Sequence, residues 1–433
     1  MRKETGPCPI IRADHSFFCK HANIIHQGLN GSTYSEYMIT LTSQINDSFS
    51  PSDIFENSPW QFDCHLSSFE SFSGGHMGKK LFFGIDVIKV IAIFSVVSVH
   101  FLLNTDFYGV PIIGTSLNVQ VFYRQLFIVC VPLFLLATGY LQLEKEWNKK
   151  YLKSTMSVVY IYLILSLFAI LARILLFKEI HPISFWIKSV FTFEAVRYAW
   201  YVEMYIGLAL LIPFLNYIWK SFKTKRDFQI FIVILLFITA MPGFWNAFSE
   251  DVPYISVIRF PGFWTSLYPV TYYFIGVYIR RYGSRIPPLA SLFGFLAATL
   301  VQTLVICLKT GNGTFVNGVG SYDSLLIVIQ SYFLFSALYR LELPKSRVFR
   351  NLAVPVSSIS VLTLDIYLAS AITDKFIYEY IADHLFTAQK YAILFAPLCV
   401  TLSFSLAYAV ALLRKTVCPL RGKRPRPKNE KPV

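Results

Sequence analysis

Long apolar runs recur along this chain from residue 81 onward, and each is closed by a short polar loop. Ten of them are predicted to form helices that cross a bilayer: about 81–103, 119–141, 155–177, 199–219, 227–245, 263–280, 289–308, 322–340, 357–377 and 391–413. The first, LFFGIDVIKVIAIFSVVSVHFLL, extends about 34 Å at the helical rise, enough for the hydrocarbon core. In lipid the backbone must satisfy its own hydrogen bonds, so apolar runs of this length become helices. The expected fold is all-α, a polytopic transmembrane helical bundle of about ten spans. Its domains are expected to be an extension (1–76), a membrane domain (77–413) and a basic tail (414–433).

The same first segment carries Asp86, Lys89 and His100. At about 100° per residue, Lys89 lies about 60° behind Asp86 and His100 about 40° behind it, so all three share one narrow arc. Ionisable groups facing lipid are costly, so this stripe is expected to face protein or a water-filled cavity. One alternative is a buried polar network that only holds helices together. Lys89 and His100 are about 16 Å apart along the helix and cannot touch. That separation fits a path with different jobs at two depths. A neutral imidazole is suited to take a proton from a hydroxyl. A lysine suits a phosphate-bearing ligand as a point charge, and Asp86 one turn away can hold it in place.

Composition agrees with a membrane protein: 55% hydrophobic, 17% aromatic and only 15% charged residues, with a mean hydropathy of +0.52. The net charge of +14 would point to nucleic acid in a soluble chain. Here the basic residues sit mostly between the apolar segments. Lys145, Lys149, Lys150 and Lys153, then Lys220, Lys223, Lys225 and Arg226, fall in alternate loops. So do Arg280, Arg281 and Arg285, the 340–350 loop and the tail, whereas 104–118 has none, 246–262 only Arg259 and 309–321 only Lys309. The weakest loop is 178–198, with Lys178, Lys188 and Arg197. By the positive-inside rule both termini are expected in the cytoplasm, and no nucleic-acid partner is expected. The bilayer is the expected partner, and the oligomeric state is left open.

Residues 1–76 are polar, Ser-rich and aperiodic. Cys8, His15, Cys19 and His21 match no familiar zinc spacing, so no metal is expected, and the seven scattered cysteines imply no disulfide framework. From Met77 the chain reads MGKKLFFGIDVIKV, a short basic start running into the first span. Ser73-Gly74-Gly75-His76 is encodable by a purine-rich bacterial ribosome-binding sequence. The native chain is therefore expected to begin at Met77.

Further polar groups lie in the apolar segments. Glu203, beside Trp200 and Tyr201, is placed to hydrogen-bond sugar hydroxyls or to orient a histidine; an interfacial aromatic belt explains the same residues. Asp365 is mid-span, where a solvated carboxylate is hard to maintain.

The chain resembles the acyltransferase-3 family of integral membrane acyltransferases. Lys89 and His100 fit its opening motif, a basic residue, ten intervening positions and a histidine. VPLFLLATGYL (131–141), WYVEMYIGLALLIPFLN (200–216), YYFIGVYIRRY (272–282) and SISVLTLDIYL (358–368) are similar to further family stretches. Thr138 stands where many relatives carry serine, and Lys150 and Lys153 where arginine is frequent; lysine keeps the charge but loses bidentate phosphate recognition.

The resemblance implies transfer of an acyl group, usually acetyl, from acyl-coenzyme A to a hydroxyl of a cell-envelope glycan or similar carbohydrate acceptor. It implies acetyl-coenzyme A as a co-substrate and no permanently bound cofactor. By the resemblance His100 would be the catalytic histidine, and Lys89, Lys150 and Lys153 would lie toward the donor; Glu203 is the second expected catalytic residue, from its place beside Trp200 and Tyr201. Asp86, Trp200, Tyr201 and Asp365 would support the substrate or the structure. The implied location is a cell membrane, multi-pass, with a bacterial plasma membrane favoured. A transporter of lipid-linked glycan or small molecules, for which a polar stripe is equally natural, and a noncatalytic scaffold are the alternatives. Peptide mapping of the native protein is expected to recover nothing from residues 1–76; abundant peptides from that region would overturn the start at Met77.

Overall fold

The computed structural model describes residues 78–249, 256–343, 347–386 and 388–419. The 1–76 extension, the start at Met77 and residues 420–433 of the tail lie outside the described residues. Among the described residues every regular element is a helix, and the only strand-like feature is an isolated bridge between Pro111 and Thr314. The principal helices are α1 (Gly78–Leu103), α2 (Thr115–Phe127), α3 (Cys130–Gln142), α4 (Lys149–Leu175) and α5 (Ile183–Phe191). They continue with α6 (Trp200–Ser221), α7 (Lys225–Thr239), α8 (Met241–Ser249), α9 (Tyr268–Tyr282), α10 (Pro288–Thr310) and α11 (Leu325–Leu338). The last three are α12 (Arg347–Val361), α13 (Thr363–Asp374) and α14 (Ala392–Val417).

Six helical stretches are long and apolar enough to cross a membrane: Phe83–Leu103, Thr115–Gln142, Lys149–Leu175, Trp200–Ser221, Pro288–Thr310 and Gln389–Val417. Two bent pairs raise the number to as many as eight: α7 with α8, bent by 41°, and α12 with α13, bent by 77°. Each of the ten expected segments contains a helix, but 263–280 and 322–340 fall short as spans. Their helices α9 and α11 have 15 and 14 residues, or about 22 and 21 Å of rise. The physical reason is burial. Tyr272, Tyr273, Phe274 and Val277 of α9 are completely covered, so the apolarity that reads as lipid-facing is spent on neighbouring helices. At its end α9 stops on Gly283, whose φ of 70° breaks the helical path at low cost.

α1 is the central strut, packed against α2, α3, α11, α12, α13 and α14. Of the apolar windows in α1 and α4, 67% is buried in the first and 28% in the second, which marks α4 as peripheral. Close backbone approach supports this packing. A side chain at Gly139 of α3 would strike the carbonyl of Tyr273, and one at Gly276 of α9 the carbonyl of Leu136. Small residues are what allow two membrane helices to meet backbone to backbone. α13 begins at the sharp bend at Leu362 and packs along α14, so it runs beside α1 through the interior.

Gly276→Leu and Gly139→Leu are each expected to destabilise the bundle by about 1–3 kcal/mol or to prevent assembly, since neither backbone can retreat. Gly207→Ala, at a position with nothing near the added methyl, is the neutral control. Thermal unfolding of the detergent-solubilised variants checks this, and full stability of both leucine variants would contradict the tight crossing.

Candidate active site

The helical period of α1 turns its polar stripe inward. Lys89 is 7% exposed and His100 8%, both covered by neighbouring helices. His100 meets Asp374, the last residue of α13, with Nδ1 and Oδ2 2.9 Å apart. Asp374 is fully buried, and its other oxygen accepts from the hydroxyl of Ser403 on α14, which also lies 2.9 Å from Thr373 Oγ1. A buried carboxylate on one ring nitrogen makes that nitrogen the N–H donor and leaves the other, Nε2, with the basic lone pair. The same logic orients the histidine of hydrolytic triads.

The imidazole also lies flat on Tyr198, at 3.6 Å between ring centroids and 28° between planes. Tyr198 is braced from two sides. Asn104, one turn past His100, donates to the hydroxyl of Tyr198 and to the His100 carbonyl, each at 2.7 Å. The hydroxyl of Tyr367 on α13 donates to the Tyr198 carbonyl. His100 therefore has a carboxylate at its edge and an aromatic ring on its face, each supplied by a different element.

The segment just after Asp374 anchors it. A π-helical stretch, Lys375–Glu379, continues α13, and π-turns are a local distortion often found at functional positions. Lys375 Nζ pairs with Glu179 Oε1 at 2.9 Å, and Glu179 Oε2 pairs with Arg173 at the end of α4 at 2.8 Å. Partial burial works against the Glu179 charge, but hydrogen bonds from Lys375 and Arg173 outweigh it and hold its carboxyl below the usual range. A carboxylate with a lowered pKa keeps its pairing at neutral pH and loses it as pH falls through that lowered value.

A cavity of about 300 Å³ reaches Tyr367, whose ring lies 6.5 Å from the imidazole. Its wall includes a cationic end of Lys89, Arg414 and Lys415 with Asp365, an aromatic end of Tyr201, Tyr205 and Tyr367 on the side of His100, and also Thr138 and Gln142. Asp365 Oδ1 and Arg414 Nε are 2.5 Å apart, and both side chains are almost wholly buried. Asp86 accepts a hydrogen bond from Ser360 at 2.5 Å and attracts Lys89 one turn away.

The expected site residues are thus partly brought together. Lys89, Tyr201 and Asp365 line the cavity, and Asp86 supports its cationic end. Lys150 is exposed and Lys153 half-buried near the start of α4, and neither forms the cavity wall, although Ser157, one turn after Lys153, does. The cations beside Lys89 are Arg414 and Lys415. The boundary drawn at 413 assigns these two to the tail, whereas α14 runs on to Val417 and buries Arg414 in the bundle. Trp200 is 43% exposed. Glu203 is exposed on the first turn of α6, outside the cavity wall, and the carboxylate that meets His100 is that of Asp374. Sequence reasoning missed Asp374 because it sits in TDKFIYEY, where charges read as the end of a span. Its position inside the expected 357–377 segment was the available signal.

Removing one partner of a buried ion pair leaves an uncompensated charge, at a cost of about 3–5 kcal/mol. Arg414→Ala is therefore expected to lower the melting temperature sharply, and the double change Asp365→Leu with Arg414→Met to recover much of the loss. Thermal unfolding in detergent separates these cases; an Arg414→Ala protein as stable as wild type would contradict the buried pair.

No curated protein and no solved structure matches the chain. The acyltransferase domain of the acyltransferase-3 family matches residues 82–412, which take in both members of the His100–Asp374 pair and nearly all of the helical bundle. This chain belongs to the acyltransferase-3 family and is a multi-pass membrane acyltransferase.

Proposed function

We propose that the protein transfers an acyl group, in the first instance acetyl, from acyl-coenzyme A to a hydroxyl of a cell-envelope glycan or its precursor. The observation that carries this reading is the hydrogen bond between His100 Nδ1 and the buried Asp374 carboxylate, which leaves Nε2 as a base beside the aromatic end of the cavity. In the proposed reaction Nε2 takes the proton of the acceptor hydroxyl as its oxygen attacks the thioester carbonyl carbon. The C–S bond breaks, and the imidazolium returns the proton to the departing sulfur, giving an ester and free coenzyme A. Asp374 stays ionised throughout and stabilises the imidazolium while it exists.

The donor is assigned to the cationic end. Lys89, Arg414 and Lys415 suit its phosphates, with Lys150 and Lys153 farther out at the start of α4. The loop charges direct this end to the cytoplasm, where acyl-coenzyme A is made, and keep both termini there. The pantetheine arm extends along the cavity toward His100, about 16 Å from Lys89 along α1. The acceptor is assigned to the opposite end. Trp200 offers an exposed aromatic face there and Glu203, three residues on, a carboxylate on the same side of α6. A glycan acceptor of the cell envelope favours a bacterial plasma membrane as the location.

Purified protein supplied with labelled acetyl-coenzyme A and envelope glycan tests this. His100→Ala is expected to abolish transfer while the protein still folds, and Asp374→Asn to lower kcat by about 10³–10⁴-fold, because the amide disrupts the tautomer. Lys89→Ala is expected to raise the donor KM more than it lowers kcat. Full turnover by His100→Ala would remove the catalytic assignment, and an unchanged donor KM in Lys89→Ala would remove the donor end.

A further inference from the structure

The cavity stops one aromatic ring short of His100. Tyr201 and Tyr367 form its wall at that end, and the Tyr367 ring lies 6.5 Å from the imidazole. The two tyrosines meet edge to face, 5.6 Å apart at 69°. Their freedom differs. Tyr367 is 5% exposed on the interior helix α13 and its hydroxyl is bonded to the carbonyl of Tyr198, the residue stacked on His100. It cannot turn without disturbing the shelf under the imidazole. Tyr201 stands on the first turn of α6 and is held by ring packing against Phe134, Tyr205 and Trp200 at 6.0–6.2 Å. Dispersion contacts of this kind yield more readily than a buried hydrogen bond.

Resting on the donor route proposed above, we propose that the Tyr201–Tyr367 pair is an acyl-length filter, admitting a two-carbon acyl group to His100 and excluding longer chains. Reaction requires the thioester carbonyl within about 3–3.5 Å of the attacking oxygen. The acyl tip leads the pantetheine arm, so it must pass this ring pair before the thioester arrives. An acetyl methyl needs only a small displacement of Tyr201. A butyryl chain carries two further methylenes into space bounded by Tyr198 and the immovable ring of Tyr367. The acceptor binds beyond this point, so the filter acts on the donor alone.

The test measures His100-dependent release of coenzyme A from acetyl-, butyryl- and octanoyl-coenzyme A by the full-length protein in lipid nanodiscs supplied with envelope glycan as acceptor. Wild type is expected to favour acetyl over butyryl by about tenfold or more, as expected when a pocket must reject added methylenes. Tyr201→Ala is expected to narrow that ratio about tenfold, chiefly by raising the butyryl rate. Tyr201→Leu, which retains apolar bulk should the alanine variant not fold, is expected to fall between. Tyr201→Phe should keep the wild-type ratio, because ring volume and not the hydroxyl does the selecting. Equal rates with acetyl and butyryl donors in wild type, or an unchanged ratio in Tyr201→Leu, would overturn the filter and leave the acyltransferase reading standing. Consumption of no acyl-coenzyme A by wild type would instead overturn the donor assignment and the filter with it.

Discussion

Asp374 is a carboxylate wholly enclosed by largely apolar helices, and burying it uncompensated would cost several kcal/mol. The chain meets that cost with the imidazole N–H of His100 from α1 and the hydroxyl of Ser403 from α14. Three helices are thereby bound at one point, and the geometry that satisfies the charge also decides which nitrogen of His100 is basic. Stability and proposed chemistry draw on the same hydrogen bond. A change made for one is felt by the other.

A second buried carboxylate repeats the device lower down. Asp365 sits near the start of α13 and is met by Arg414 from the end of α14, so the two helices are clasped near both ends of α13. The cavity lies at this lower clasp, with Asp365 and Arg414 in its wall. From α13 only its first turn, Thr363 to Tyr367, enters the cavity wall, and α1 runs alongside with Lys89 at one level and His100 at the other. The cations Arg414 and Lys89 are themselves paired or supported, Arg414 by Asp365 and Lys89 by Asp86. The imidazole sits where rings exclude water.

Glu179 extends this framework to the opposite flank. By pairing with both Arg173 and Lys375 it links the end of α4 to the π-turn that carries on from Asp374. The peripheral helix α4 is therefore not independent of the site, although most of its surface is uncovered.

Much of this was legible along the chain. Segment positions follow from apolar runs long enough to satisfy their own backbone in lipid, and each of the ten predicted contains a helix. The inward stripe of Asp86, Lys89 and His100 follows from helical phase alone, since residues 3 and 14 positions apart return to one face. Span number was less legible: a helix such as α9, apolar because it is enclosed by protein, has the composition of one enclosed by lipid. The partners were not legible at all. His100 and Asp374 are 274 residues apart, and Asp365 and Arg414 49 apart; periodicity says which face a residue occupies, never which distant residue faces it. Glu203 and Asp374 look alike in sequence, as carboxylates near span ends, and only the packing of α13 against α1 sets the second beside the imidazole. Local chemistry and helix period determine elements and faces, whereas the pairing of buried charges depends on how the helices cross, which is a property of the whole packed bundle.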